Sequence, residues 1–249
     1  MTASTRARPP LVAIVIYSVR ACVPGRRWFG LLLPCLVAIL FGLLSRALGG
    51  DLEREMAGVA AVALFGLIMP VTCLVAGDAV LGAEVRSGAF TFTWMSPVPT
   101  WMVVAGRWAG GAIVSGACLA VAFSLAAVAG GAPGLIVPLA VAAVLGAVGY
   151  VAVFLAIGCA TRRAAVWSIA FVFLVERLLG AALPGVAQLS PSWLARSAFL
   201  EWADIGGDLV RDGIPQGTAA AVRQVIVAVV ALGLATYKLR GVRLTGSSD

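Results

Sequence analysis

The sequence predicts an all-α membrane protein with six transmembrane helices, an amino-terminal interfacial (elbow) helix, and both termini in the cytoplasm. Three observations carry that expectation. The chain is 61% hydrophobic and only 12% charged, its mean hydropathy is +1.04, and its arginines concentrate in alternate loops. A soluble domain of 249 residues is about half apolar and about a quarter charged. Here long stretches carry no charge at all, so lipid rather than water must solvate much of the surface.

A helix needs about 20 predominantly apolar residues to cross the hydrocarbon. Six segments meet that length: 28–46, 57–77, 103–129, 135–158, 164–183 and 219–239. The stretch 11–23 is apolar but shorter and is interrupted by Arg20. Because no small-residue cleavage site follows it, it reads as a helix lying along the membrane surface rather than as a signal peptide. Trp28 and Phe29 then mark where the first span enters lipid.

Orientation follows from the basic residues of the short loops. Twelve of them, from Arg6 through Arg86, Arg107, Arg162 and Arg163 to Arg243, fall on one side. Only Arg46, Arg54, Arg196 and Arg211 fall on the other, where acids outnumber them. Both termini are therefore expected in the cytoplasm. Two connections are long, the internal 78–102 and the external 184–218. Function tends to reside in long connections. Gly106, Gly110 and Gly111 give the third span small-residue spacing that permits close helix contact. The first three spans and the last three show no internal repeat of the kind that secondary transporters use.

Several chemistries are excluded by composition. Histidine is absent, which removes HExxH zinc sites and histidine-based nucleophilic catalysis. Lys238 is the sole lysine and does not follow a glycine-rich phosphate loop, so any ATP must be bound by another chain. The five cysteines, Cys22, Cys35, Cys73, Cys118 and Cys159, form no CxxC pair and read as small core residues rather than ligands. The net charge of +7 flanks apolar runs instead of forming an aromatic-laced basic face, which argues against nucleic acid.

The internal connection carries the most information. Glu84 and Arg86 supply charge, and Ser87-Gly88 allows a break. An apolar run from Ala89 to Met95 follows, holding Phe90, Phe92 and Trp94, and Ser96-Pro97 stops it. This reads as a short amphipathic helix at the cytoplasmic face, tethered at both ends to spans. The same aromatic residues, with Trp101, also suit an ordinary interfacial loop.

That pattern, an acid, a base, Ser-Gly, an apolar stretch, Ser96-Pro97-Val98 and then Gly106-Arg107, resembles the cytoplasmic segment of ABC-2-type ABC transporter permeases. It departs in having Ala89 after the glycine and Pro99-Thr100-Trp101 in the turn. The resemblance implies an exporter transmembrane domain (type V-like) whose two copies, identical or paralogous, pair in a bacterial plasma membrane above two ATPase subunits. ATP and Mg would bind those partners, and this chain would have no catalytic site of its own. By resemblance, the coupling segment comprises Glu84, Arg86, Ser87, Gly88, Phe90, Phe92, Trp94, Met95, Ser96 and Pro97, and it moves the second and fifth spans around the path of a hydrophobic or amphipathic cargo such as a drug, antibiotic, peptide or lipid. Arginine outnumbers lysine, and alanine, glycine and valine abound, which points to a GC-rich bacterial source.

Two further groups of residues stand out. Glu176 and Arg177 interrupt the fifth span, where ionisable groups are costly and often functional. One arrangement turns Glu176 inward or toward a second copy and lets Arg177 reach outward. A helix end shallower than drawn is the alternative. Glu201, Asp204, Asp208 and Asp212 share helical spacing in the external loop, but Gly206-Gly207 interrupts it and solvation accounts for them. The resemblance implies short re-entrant helices in 184–218 as an external gate, which Pro184, Pro191 and Trp193 suit. The competing functions are an accessory or immunity membrane protein and a secondary transporter without an ATPase.

Overall fold

The computed structural model describes residues 9–22, 28–77, 79, 98–161, 163–205, 207 and 209–240. Among them every regular element is helical. Five helices are long and apolar enough to cross a membrane, so the chain is a multi-pass helical membrane protein. In chain order the elements are α1 (Pro10–Cys22), α2 (Trp28–Leu48), α3 (Leu52–Gly77), α4 (Thr100–Gly130), α5 (Pro133–Ala160), α6 (Ala164–Ala182), α7 (Pro184–Ala187), α8 (Pro191–Trp202) and α9 (Gly217–Arg240). The five long helices are α3, α4, α5, α6 and α9. The side chains of Trp28 and Phe29, and the whole of 80–97, lie outside the described residues.

Local chemistry fixes the helix ends. Asp51 caps α3, its carboxylate accepting from the backbone N–H groups of Glu53 at 3.2 Å and Arg54 at 3.5 Å. Acidic Glu53 and Glu55 in that first turn complement the helix dipole. Gly131, at φ +75°, closes α4 in the left-handed conformation, a geometry that favours glycine. Pro133 then starts α5, where its missing N–H costs nothing.

Small residues set the packing. On α2 the buried face runs Ala38, Gly42, Ser45, and it meets Ala122 and Ala126 of α4. A Cβ on Gly42 would stand 2.2 Å from the Ala126 carbonyl oxygen, so the two backbones touch. Further along the same seam the thiols of Cys35 and Cys118 meet at 3.4 Å. The sequence placed these two in separate apolar runs and offered no spacing that would pair them.

The glycines at the start of α4 receive α1. A Cβ on Gly106 would lie 2.7 Å from Ile14 Cγ2, and one on Gly110 would lie 2.4 Å from Ser18 Cβ. Arg107, between them, is only 3% exposed and its guanidinium carbon lies 5.5 Å from the Tyr17 ring centre, a cation–π distance. Cys22 at the end of α1 packs with Ala79 just beyond α3. One short helix thus grips both sides of the 80–97 segment.

The main core fills the space between α3, α4, α5 and α8. Phe65 of α3 meets Phe123 of α4 edge-on and Phe199 of α8 at a tilt, both with ring centres 5.5 Å apart, distances suited to aromatic pairs. Helix α8 is too short to be a span, yet its Leu194, Ala195, Ala198 and Phe199 are fully buried. Ala195 sits beside Gly146, where an added Cβ would be 3.2 Å from its own. Gly146 lies about 15 Å along α5 from Ile136 at 1.5 Å per residue. Helix α8 therefore packs inside the bundle, against the middle of a long helix.

Candidate functional site: a buried carboxylate where three helices meet

Both α3 and α6 widen into π-helical turns, at Ala60–Ile68 and Phe171–Leu179. Such turns inside α-helices are often found at functional sites. Glu176 and Arg177 sit in the second of them. As helix neighbours they point to different sides, and the structure sends them to different partners.

Glu176 faces inward and is 1% exposed. Its carboxylate accepts a very short hydrogen bond from the Tyr150 hydroxyl of α5. On the other oxygen it accepts from Ser190 Oγ at 2.5 Å and from the backbone N–H of Ser192 at 3.4 Å. Ser190 is the N-cap of α8, its oxygen also receiving the Trp193 N–H at 3.5 Å. The carboxylate thus lies against a helix N-terminus, where the partial positive charge of the dipole favours an anion. All its described side-chain donors are neutral. The Trp193 indole N–H completes the joint by donating to the main-chain carbonyl of Glu176 at 3.3 Å.

Arg177 lies on the other side, its side chain exposed and its guanidinium turned onto α3. Nε donates to the Gly66 carbonyl at 3.2 Å and Nη2 to the Val62 carbonyl at 3.1 Å. The sequence allowed it to reach outward. The glycine is the reason it turns to its neighbour: a Cβ at position 66 would fall 1.3 Å from Nη2, so only glycine leaves room.

An outer collar surrounds Trp193. The guanidinium carbons of Arg196 and Arg211 lie 5.1 and 4.9 Å from its ring centre. Arg211 donates to the carbonyls of Gly180 and Ala181, each at 2.7 Å, capping the end of α6 where unpaired carbonyls gather. Arg196 donates to the Leu209 carbonyl at 2.9 Å. On the side of α9, Arg223 donates to Gln188 Oε1 at 2.5 Å, and Gln188 Nε2 donates to the Gly213 carbonyl at 2.6 Å. Below Arg177 an open, wholly apolar groove runs between α3 and α6, lined by Gly66, Leu67, Pro70, Ile169, Val172 and Phe173.

The sequence singled out Glu176 and Arg177, and Trp193 as part of an external gate, but missed Tyr150, Ser190 and Ser192. A signal existed for the first: Tyr150 is the one tyrosine in the apolar run 136–160, and a buried hydroxyl there needs a partner. Nothing in the pattern placed a serine from a distant loop beside it. The coupling-segment residues Glu84, Arg86, Ser87, Gly88, Phe90, Phe92, Trp94, Met95, Ser96 and Pro97 lie outside the described residues. Of the external acids, Asp208 also lies outside them. Glu201 stands against Gly217, and Asp204 closes α8 with φ 53°. No group of three metal-binding side chains occurs among the described residues.

Helices and site together define a polytopic membrane protein whose polar interior centres on one carboxylate. No family model matches the chain, and no curated protein matches it.

Proposed function

We propose that the chain is the permease subunit of an ATP-driven exporter of the ABC-2 type. In this reading α2 joins the five long helices as the first of six spans, α1 is the interfacial helix, and both termini face the cytoplasm of a bacterium. A second copy or a paralogue completes the membrane unit, ATPase subunits bind ATP and Mg beneath it, and this chain performs no chemistry itself.

The observation that carries the reading is the segment Glu84 to Pro97, with its charged start, apolar run and Ser-Pro stop between two spans. The packing around it supports the same view. Helix α1 is seated on Gly106 and Gly110 of α4 and touches Ala79 beyond α3, so a push on the segment is felt by three helices at once. From α3 the path continues through the Gly66–Arg177 bonds to α6 and through Glu176 to α8. ATP-driven movement of α3 against α6 would open or close the groove between them, with α8 as the far gate.

Replacing Arg86 by Glu is expected to leave membrane insertion intact while separating ATP hydrolysis from export. The check is to measure both in vesicles carrying the permease and its ATPase. Wild-type coupling in that variant would count against Arg86 as a contact. One alternative has an observation of its own. A fully buried carboxylate with neutral donors suits a proton site, which favours a proton-coupled secondary transporter. Glu176→Gln would then abolish gradient-driven transport, whereas an ATP-driven exporter would retain ATP-dependent transport.

A further inference from the structure

Two guanidiniums, Arg196 and Arg211, meet at the Trp193 ring where α6 ends, and Arg177 stands on α6 shortly before that end. Arg196 and Arg211 both lie within about cation–π reach of the Trp193 ring, and the Trp193 indole is bonded to the residue next to Arg177. Arg211 donates to the carbonyls of Gly180 and Ala181, one helical turn beyond Arg177. Every hydrogen bond described for the three ends on a main-chain carbonyl. Carbonyls orient a guanidinium without cancelling its charge. A guanidinium has five N–H donors, and these bonds engage one or two in each residue, so donors remain. Glu176, the carboxylate next in sequence, is turned away and occupied by Tyr150, Ser190 and Ser192.

Like charges held this close raise one another's energy unless an anion answers them. Directly beneath Arg177 lies the apolar groove between α3 and α6. The two features share Gly66, which lines the groove and carries the guanidinium on its bare α-carbon. A ligand that satisfies both needs an acidic head and a hydrocarbon tail.

We propose that the chain binds an anionic amphiphile, its phosphate or carboxylate head among Arg177, Arg196 and Arg211 and its tail in the groove along Leu67, Pro70 and Phe173. The planar fork of arginine suits such heads because it offers paired parallel donors. This deepens the exporter reading by naming the class of cargo, and it rests on that reading only for the word cargo. Binding needs no ATPase, so a failure to find one leaves this proposal standing.

The test uses the purified full chain in nanodiscs of zwitterionic lipid, with radiolabelled dodecyl phosphate as the probe. Saturable binding is expected, with dodecanol at least about tenfold weaker and inorganic phosphate a poor competitor because it has no tail. Arg196→Gln should weaken binding about fivefold, the usual effect of one basic residue on an anionic lipid. Ile169→Trp, at an exposed position in the groove, should weaken it as well without touching the arginines. Dodecanol binding as tightly as dodecyl phosphate would overturn the proposal. Unchanged affinity in both folded variants would do the same, and inorganic phosphate displacing the probe at equal concentration would reduce the site to one for a free anion. Should Arg196→Gln fail to fold, the dodecanol comparison and Ile169→Trp decide between these outcomes.

Discussion

Replacing Glu176 by leucine is expected to loosen α8 from the bundle and to destabilise the protein by about 3 kcal/mol. The carboxylate is the shared acceptor for the Tyr150 hydroxyl, the Ser190 hydroxyl and the Ser192 N–H. Leucine removes the acceptor and leaves three donors facing an apolar surface, each with a desolvation cost of roughly 1–3 kcal/mol. Glutamine is the informative control. Its amide oxygen still accepts from the Ser190 side, and its NH2 finds the Tyr150 oxygen once that hydroxyl rotates, so the loss should be only about 1 kcal/mol. Thermal unfolding in detergent together with protease cleavage of the 203–216 loop would measure both. Equal stability of the leucine variant and the wild type would show that the network holds nothing together.

Gly42→Val is expected to cost a similar amount, about 3 kcal/mol, through overpacking. The added Cβ meets not a flexible side chain but the Ala126 backbone, with its oxygen at 2.2 Å and its carbonyl carbon at 2.9 Å. Backbone cannot retreat unless α2 swings away from α4. The neighbouring thiols report that swing directly. Cys35 and Cys118, 3.4 Å apart, should be joined by a short bifunctional thiol reagent in the wild type and not in the variant. Cross-linking that proceeds equally in both would contradict the seam.

Much of the architecture is legible in the sequence, for an identifiable reason. Long runs without charge leave a helix as the structure that satisfies its own backbone in lipid, and every regular element among the described residues is helical. The glycines of α4 announced a close contact, although not that α1 would be the element to fill it. What escaped is chiefly long-range. The π-helical turns in α3 and α6 have no compositional signature, yet they set the carbonyls of Val62 and Gly66 against Arg177. The resemblance led to short helices dipping back in this loop, but not to α8 carrying Ser190 and Ser192 to Glu176. A lone glutamate in an apolar run says that a partner must exist, and only the fold says which one. The contact of Cys35 with Cys118 belongs to the same class, because two apolar helices give no clue to their register until their small residues interlock.

The most direct test of the exporter reading is purification of the tagged chain from its own host in mild detergent, with mass spectrometry of whatever accompanies it. The account predicts a stoichiometric soluble partner bearing a phosphate-binding loop, retained by the wild type and lost when residues 84–97 are scrambled. A homo-oligomer free of any ATPase, under conditions that preserve a known ABC complex, would contradict it.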